Sequence, residues 1–553
     1  MATAWGIDLG TTNSCISRLE DGVPKAISIE GSEIVPSVVL FSEGGSVVVG
    51  REAQNLELLH PERCIRSIKR RMGRGPAVSI DGRSLSPEQI SAEILRALKQ
   101  GAEKATGQTI DDVVITVPAY FDDAQRRATL RAGELAGLNV LRLLNEPTSA
   151  SLVYDQVGSR GETSETSPEI VLVYDLGGGT FDVSVLEVFE GVREVRSTAG
   201  NSQLGGDDFD ELLFRHFVDH LKHSRGVDVQ GDQRARARLR NLAERTKIAL
   251  SSVMSYRVSE EFIASDAAGA PVHIDLEITR REFEAMMQPL VDKTIELTRR
   301  AIDDAKLGSQ DLSRICLVGG STRVPLVRSL LAEEFGASQI HEEISADLAV
   351  ALGASIQAGL LIGEPVARIL VDVTAHSLGI RVIGKDDDSW EEPDTFGVVL
   401  PRNTVLPAEK TEEYYSVVED QEKLVCEVFQ GESRRVSENR SIGSFDVPLE
   451  PAPASSPIHV TFAYDLDGVV RVSVAQPGTS NRKTMRLTLP DATPSELDTP
   501  VLRKARALLK TLEESRRAAL QVLITEYESA AIDDRGAAEE ALLDFLMDVD
   551  SDS

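Results

Sequence analysis

The sequence of 553 residues contains little cysteine, few aromatic residues and no long apolar segment. Its cysteines stand far apart without a C-x-x-C pair, which argues against a disulfide framework and against a structural zinc site. No apolar run approaches the length that spans a bilayer, and Asp8 would interrupt the core of a signal peptide. We therefore expect a cytoplasmic protein with four reduced cysteines, which are Cys15, Cys64, Cys316 and Cys426.

Positive charge is outnumbered, because 59 lysines and arginines stand against 89 aspartates and glutamates and the formal net charge is -30. Such an excess of carboxylates repels nucleic-acid phosphates and anionic lipid headgroups. We accordingly expect no nucleic-acid partner and no membrane partner. The simplest interpretation of the charge is a solvated, highly soluble surface.

Three regions of different pattern follow one another along the chain. Strand-like and helix-like segments alternate at first, and Ser86 and Gly137 mark the start of one predicted helix and the end of another. Short alternating strands separated by turn signals follow, and then a charged, helix-forming stretch. We predict an α/β domain at 1–364, a linker at 365–372, an all-β domain at 373–493 and a short helical segment with an acidic tail at 494–553.

The most informative feature is a turn that occurs twice. Residues 6–13 and 173–182 each read as an apolar strand that ends in Asp and is followed by glycine and threonine. Glycine lets backbone N–H groups approach a phosphate, threonine adds a hydroxyl, and aspartate can hold the water shell of a metal ion. A single copy would leave an ordinary hairpin as an equal alternative, but two copies predict two related lobes that close on one polyphosphate. The residues are Asp8, Gly10, Thr11, Thr12 and Asn13 in the first copy, and Asp175, Gly177, Gly178, Gly179, Thr180 and Asp182 in the second.

A third turn, Gly319-Gly320, follows another apolar strand. Its bare backbone would let a flat adenosine lie against it, and Arg323 could stack on the base. This signal is weak alone, because Gly-Gly turns are common. The residue pattern by itself also leaves Lys69 as a surface lysine in a basic run and Glu146 as a helix-capping residue.

The chain resembles the DnaK-type heat-shock-protein-70 chaperones from Trp5 to about Leu489. The resemblance implies an actin-like two-lobed ATPase domain, a β-sandwich that binds peptide and a helical lid, here shortened. It implies an ATP-dependent chaperone that binds and releases exposed hydrophobic segments of unfolded proteins, as in a stress response. The strings that carry it are IDLGTTNSC (7–15), IKR (68–70), VPAYF (117–121), NEPT (145–148), DLGGGTFD (175–182), LGGDDFD (204–210), VGGSTR (318–323), DVT (372–374), SLG (377–379) and QGE (430–432).

The resemblance also implies the parts of a nucleotide site for ATP or ADP, Mg²⁺ and K⁺. Lys69 would approach the γ-phosphate and the attacking water, and Thr180 would lie beside that phosphate. The carboxylates of Asp8, Glu146 and Asp175 would hold the water shell of Mg²⁺, with a monovalent-cation site near Asp8 and Asp182. The adenosine would be held by Glu244, Lys247, Ser251, Gly319, Gly320, Ser321, Arg323 and Asp347.

Peptide binding and its control are implied for the second half of the chain. Ile383 and Val418 would arch over an extended hydrophobic peptide, in a pocket lined by Leu378, Ile380, Tyr415, Leu424 and Cys426. A J-domain co-chaperone and a nucleotide exchange factor are the implied partners. Coupling between nucleotide and peptide would run through Arg142, Asn145, Ile369, Leu370, Val371 and Asp372.

Two departures from the family pattern bear on this coupling. Arg368 places a charge where the family linker is apolar, and the helical C-terminal region is far shorter than a full lid. A second hypothesis is therefore a nucleotide-gated adaptor or exchange factor of another chaperone with little turnover. A third, a sugar kinase or filament protein on the same scaffold, leaves the appended β domain unexplained.

Overall fold

The computed structural model describes residues 4–158, 168–189, 191–266, 268–341, 345–364, 369–385, 391–465, 470–486, 509, 514–529 and 545. The chain divides into two compact units. The first comprises Met1–Ser377, Pro401–Pro407 and Asp465–Val469, and the second comprises Leu378–Leu400, Ala408–Tyr464 and Val470–Ser553. The division therefore falls after Ser377, whereas the sequence patterns predict a linker at 365–372.

The first lobe of unit 1 is built on a mixed sheet in the order β11-β10-β1-β2-β3, with β4 paired to β2. Strands β1, β10 and β11 are parallel, whereas β2 runs antiparallel to β1. Trp5, Ile7 and Ile115 lie in its apolar core with Leu95 and Leu98 of a covering helix. The elements are β1 (Trp5–Asp8), β2 (Asn13–Glu20), β3 (Val23–Ala26), β4 (Val35–Pro36), β5 (Val39–Phe41), β6 (Val47–Val49), α1 (Arg51–Leu56), β7 (Cys64–Ile65), β8 (Val78–Ile80), β9 (Arg83–Leu85), α2 (Pro87–Thr106), β10 (Asp112–Val117), α3 (Asp123–Leu135) and β11 (Asn139–Asn145).

Two helix ends in this lobe confirm the sequence prediction. Ser86 caps α2, where its hydroxyl accepts from the backbone N–H of Gln89, and Pro87 is the first helical residue. The helix α3 ends just before Gly137, whose φ of 73° is the left-handed conformation that glycine adopts without strain.

The second lobe of unit 1 contains a sheet in the order β18-β17-β12-β13-β14-β19. Its core joins Tyr174 and Phe181 of the sheet to Phe209 and Phe217 of a helix. The elements are β12 (Glu169–Leu176), β13 (Phe181–Phe189), β14 (Val192–Asn201), α5 (Gly206–Arg225), α6 (Gln233–Leu250), β15 (Ser255–Ser265), β16 (Pro271–Thr279), α7 (Arg280–Asp304), β17 (Arg314–Val318), α8 (Pro325–Phe335), β18 (Ile340–His341) and β19 (Ile369–Val371). Two further helices, α4 (Glu146–Gly158) and α9 (Ala349–Leu361), pack on each other, and α9 also covers β1, β2 and β10 of the first lobe.

The repeated sequence motif is also a repeat of topology. In each lobe an antiparallel hairpin, β1–β2 or β12–β13, has a parallel neighbour beside its first strand, β10 or β17. The two motif turns therefore end equivalent strands. The predicted pair of related lobes is confirmed.

Unit 2 contains two four-stranded sheets in which every pairing is antiparallel. Their orders are β21-β20-β23-β24 and β22-β25-β26-β27. The elements are β20 (Leu378–Lys385), β21 (Glu391–Leu400), β22 (Ala408–Tyr415), β23 (Lys423–Gln430), β24 (Arg440–Pro448), β25 (Pro457–Tyr464), β26 (Val470–Ala475), β27 (Arg482–Arg486) and α10 (Glu514–Ser529).

The helix α10 is the described part of the predicted helical segment. It buries Leu520, Ile524 and Tyr527, which recur every three or four residues as one helix face. Most of the segment 494–553 lies outside the described residues. Of the helices in the described part of the chain, none combines the length and the apolar character that crossing a membrane requires.

Candidate nucleotide site

The two motif turns meet in unit 1. A Cβ atom added to Gly178 would lie 1.8 Å from Oγ1 of Thr12, and one added to Gly179 would lie 2.5 Å from Cγ2 of Thr11. Any side chain at these two glycines would collide with the opposite turn. The prediction that the two turns face each other is confirmed, and the glycines are needed for their close approach.

The third glycine turn joins the same place. Gly319 has a φ of 82°, and a Cβ atom on it would lie 2.4 Å from the carbonyl oxygen of Leu176. Ser321 Oγ donates a hydrogen bond to the carbonyl oxygen of Gly177 at 2.8 Å. Because β17 is the parallel neighbour of β12, this turn ends beside the second motif.

Four carboxylates and one ammonium group lie around the turns. Asp8 ends β1, Asp175 and Asp182 face each other as a pair of the β12–β13 hairpin, and Glu146 begins α4. Lys69, in the 3₁₀ turn Ile68–Arg71, is only 4% exposed and donates to Glu146 Oε1. The buried lysine is thus a partner of a site carboxylate and not a surface residue.

Ionisation of these carboxylates is unfavourable, because they are buried and close to one another. Burial, and next the charge of Glu146, raise the pKa of Asp8 to about 7 and that of Asp182 to about 8. The same two causes raise the pKa of Asp175 well above its usual range. A buried carboxylate group with raised pKa values and one ammonium group favours the binding of a cation.

These residues fit a magnesium-bound polyphosphate. Mg²⁺ prefers carboxylate and water oxygens and usually retains several waters. Among the described residues, no three His, Cys, Asp or Glu side chains converge closely enough to ligate an ion directly. The hydroxyl of Thr12 is buried without a hydrogen-bond partner beside the bare Gly178, as expected of a donor for phosphate.

The raised pKa of Asp8 predicts a pH-dependent effect of Mg²⁺. Its folded-state value of about 7 lies above the unfolded value of 3.8, so the metal-free protein loses stability from this group as pH rises between those values. A cation stabilises the ionised form, so Mg²⁺ with ADP should raise the melting temperature more at pH 8 than at pH 6. Thermal denaturation at both pH values checks this. Asp8→Asn should reduce the difference without abolishing it, because the pKa values of Asp175 and Asp182 are raised as well. An equal shift at both pH values in the parent would contradict the prediction.

Residues expected around the adenosine lie on α6 and near the third turn. Lys247 Nζ is 2.6 Å from Asp210 Oδ2, and Arg323 is 2.6 Å from Asp347. Glu244 accepts from Arg66 at 2.9 Å, and Ser251 Oγ donates to the Lys247 carbonyl oxygen at 3.2 Å. A Cβ atom on Gly320 would lie 3.2 Å from Asp347 Oδ1.

Several residues of the site escaped sequence analysis. Thr116 Oγ1 donates to Asp8 at 3.1 Å, and the backbone N–H of Tyr120 donates to Asp182 at 2.8 Å. Arg66 bridges Glu57 and Glu244. A polar Thr116 inside an apolar strand was the one available signal, because buried polar side chains in a strand need a partner.

The predicted coupling segment lies against the second lobe. Strand β19 is parallel to β14, with Ile369 opposite Val192 and Leu370 opposite Arg193. Asp372 is buried and accepts a hydrogen bond from Asn145 Nδ2 at 2.9 Å. Burial raises the pKa of Asp372, and the nearby Arg142 opposes that shift.

The side chain of Asn145 also links this segment to its neighbours. Arg126 Nη2 donates to Asn145 Oδ1 at 2.5 Å, and Glu146 of the nucleotide site is the next residue. Asn145 therefore connects Asp372 to the start of α4. Arg368 lies outside the described residues.

Of the residues expected at a peptide site in unit 2, some are buried and others are exposed to solvent. Three of them, Leu378, Ile380 and Cys426, are buried. Three large apolar or aromatic side chains are exposed instead, with exposed fractions of 50% for Ile383, 57% for Tyr415 and 55% for Val418. Leu424 is half-buried. On β20, Leu378 and Ile380 share one face and Ile383 lies beside an irregularity in the pairing with β21, whereas Val418 lies in the loop after β22.

Comparison with known proteins matches nearly the whole chain. The family model described as Hsp70 protein matches residues 4–77 and 75–541, which include every residue of the site above. Three similar curated relatives, from Thermotoga petrophila, Thermotoga maritima and Thermotoga neapolitana, are each named chaperone protein DnaK. Each is 45% identical over 493 residues, which cover 87% of this chain and 80% of the relative.

Proposed function

The chain belongs to the Hsp70 family of ATP-dependent chaperones, and we propose that its site residues act in the roles that the family resemblance implies. The protein is an ATPase with an actin-like nucleotide domain and a β-sandwich. It acts on substrate peptides together with co-chaperones. The observation that supports the proposed roles best is the contact between the turns of Thr11-Thr12 and Gly178-Gly179 beside four carboxylates.

Hydrolysis in this site requires positioning and charge neutralisation more than covalent chemistry. The backbone N–H groups of both turns and the hydroxyls of Thr11 and Thr12 bind the phosphates. Lys69 stabilises negative charge on the γ-phosphate and orients the attacking water, and Thr180 positions that phosphate. Asp8, Glu146 and Asp175 would hold Mg²⁺ through water, and the ion would supply further neutralisation of phosphate charge.

A monovalent cation, K⁺, is the further ion that we propose for this site. Asp8 and Asp182 are the two carboxylates assigned to it. Both have raised pKa values, caused first by burial, so a second cation would lower the cost of ionising them. Glu244, Lys247, Ser251 and Arg323 hold the adenosine in this proposal, with Gly319, Gly320, Ser321 and Asp347.

Extended apolar peptide is the proposed ligand of unit 2. Ile383, Tyr415 and Val418 expose apolar surface, and Leu378, Ile380 and Cys426 are buried in the strands of the same unit. A J-domain protein and a nucleotide exchange factor are the proposed co-chaperones, and the cytoplasm is the proposed compartment.

Substitutions in the peptide site test whether unit 2 binds extended apolar peptide. Ile383→Ser with Val418→Ser should weaken binding of an unfolded apolar peptide about tenfold or more, because each change removes apolar contact. Peptide stimulation of single-turnover ATP hydrolysis should need correspondingly more peptide, with the unstimulated rate unchanged. Fluorescence anisotropy of a labelled peptide measures the affinity.

Val23→Ser is the matched control, since Val23 is an exposed valine of unit 1. It should leave both peptide affinity and stimulation as in the parent. Peptide affinity of the double variant within threefold of the parent would overturn the assignment of Ile383 and Val418. A parent whose hydrolysis does not respond to peptide would overturn the proposed coupling.

A further inference from the structure

Four metal-ligating side chains follow one another along helix α5. His216, Asp219, His220 and His223 have the spacing i, i+3, i+4 and i+7. Side chains three or four residues apart on a helix are neighbours, with about 5–6 Å between their Cβ atoms. Three of the eight histidines of the chain therefore share one stripe of one helix.

The stripe lies on the solvent side of α5, whose adjoining face packs in the core of the lobe. Together with Ser224, the four residues line an open recess of about 400 Å³. Phe217 and Leu221 anchor the adjoining face of α5 in the core of the lobe. The backbone beneath the recess is thus held in place, while the imidazoles of the recess can rotate and meet an ion from solvent.

One hydrogen bond fixes the tautomer of a histidine in the recess. His223 Nδ1 lies 2.7 Å from the backbone carbonyl oxygen of Asp219. A carbonyl oxygen can only accept, so Nδ1 carries the hydrogen and the lone pair is on Nε2. The same arrangement orients the histidine ligands of many metal sites.

The other two histidines lie close to each other and to a carboxylate on a second helix. Burial chiefly lowers the pKa of His220, and the nearby charge of His216 lowers it further. His216 is also near Glu282 in the first turn of α7, where hydrogen bonds from Thr279 chiefly lower the pKa of the Glu282 carboxyl. An oxygen ligand is therefore available on either side of His216.

We propose that His216 and His220 chelate a divalent transition-metal ion on the outer face of α5, with His223 or a neighbouring carboxylate as a further ligand. Imidazole nitrogen suits Zn²⁺, Ni²⁺ and Cu²⁺, whereas Mg²⁺ prefers oxygen, so this site and the nucleotide site select different ions. No three ligands converge among the described residues, so the site forms by rotation of these side chains, of which His216 and His220 are half-buried and His223 is exposed. A metal bound only by the folded helix would stabilise α5.

Two measurements on the full chain test this site. Calorimetric titration with Zn²⁺, in excess Mg²⁺ and ADP to fill the carboxylate site, should give one tight event that His216→Ala with His220→Ala weakens by about tenfold or more. Electron paramagnetic resonance of one equivalent of Cu²⁺ should show coupling to at least two imidazole nitrogens in the parent. The double variant should lose that coupling.

The matched control is His60→Ala, a histidine outside the recess. It should bind both ions as the parent does, and circular dichroism should show that all variants are folded. Hydrolysis of ATP with Mg²⁺ should be unchanged in the double variant, since neither histidine touches the nucleotide site. Zinc affinity of the double variant within threefold of the parent, or a Cu²⁺ spectrum without nitrogen coupling, would refute the site.

Discussion

Lys69→Ala is expected to lower the single-turnover rate of ATP hydrolysis by roughly 100-fold or more while ATP still binds. Lys69 is buried, and its ammonium group donates to Glu146 among the four carboxylates of the site. Its loss removes the side chain that we assign to the charge developing on the γ-phosphate. Quenched single-turnover assays measure the rate, and fluorescent ADP measures binding.

Lys69 also affects the protonation of the neighbouring carboxylates, and the pH dependence of Lys69→Ala separates this effect from a direct effect on the substrate. Its charge lowers the pKa values of Asp8, Asp175 and Asp182, which burial chiefly raises, so its removal favours protonated carboxylates. If Lys69 acted only in this way, raising the pH from 7 to 9 would restore hydrolysis. If it acts on the substrate, the rate stays low at both pH values, which is the result we expect.

Two further variants complete this experiment. Lys25→Ala removes an exposed lysine, 54% exposed at its side chain, and should leave the rate unchanged. Lys69→Arg retains the charge but replaces a compact ammonium group by a wider planar fork in a buried site, so most of the loss should remain. A rate within threefold of the parent for Lys69→Ala would mean that the lysine has no part in hydrolysis.

The parts of the site that depend on local chemistry were accessible from the sequence. Glycine and threonine at 10–12 and 177–180 are the residue types that let a backbone turn approach a phosphate, and the repetition of the pattern predicted that the turns meet. The helix ends at Ser86 and Gly137 were equally readable, since capping depends on neighbouring residues.

Contacts that depend on distant strands were not accessible in this way. Thr116 meets Asp8 because β10 lies parallel to β1 with Ile7 opposite Ile115, and no local pattern specifies that register. Lys69 and Glu146 were assigned through family resemblance, because a buried lysine in a basic run cannot be distinguished from an exposed one by sequence pattern. The exposure of the apolar strand residues was undetermined for the same reason. Ile380 is paired with strands on both sides and is buried, whereas Ile383 lies at an irregularity of the β20–β21 pairing and is exposed.

Asp372→Ala is expected to reduce stimulation of hydrolysis by peptide by about fivefold or more while the unstimulated rate changes little. Asp372 follows β19, is buried, and bonds to Asn145, the residue before Glu146. The substitution leaves Asn145 Nδ2 without this acceptor and weakens the attachment of the segment to the first lobe, whose strand β11 ends at Asn145. Single-turnover assays with and without an unfolded apolar peptide give the stimulation factor, and Asp111→Ala, at an exposed aspartate, should leave it unchanged.

A double-mutant cycle shows whether the hydrogen bond itself carries the coupling. Asn145→Ala removes the other partner, and its stimulation factor should be taken relative to its own unstimulated rate, because Arg126 also loses a partner. If both residues act through their shared contact, the double variant loses little more stimulation than Asp372→Ala alone. If the two single variants' losses of stimulation multiply in the double variant, Asp372 and Asn145 act separately. Full stimulation in Asp372→Ala would exclude the segment 369–372 as the route between peptide and nucleotide.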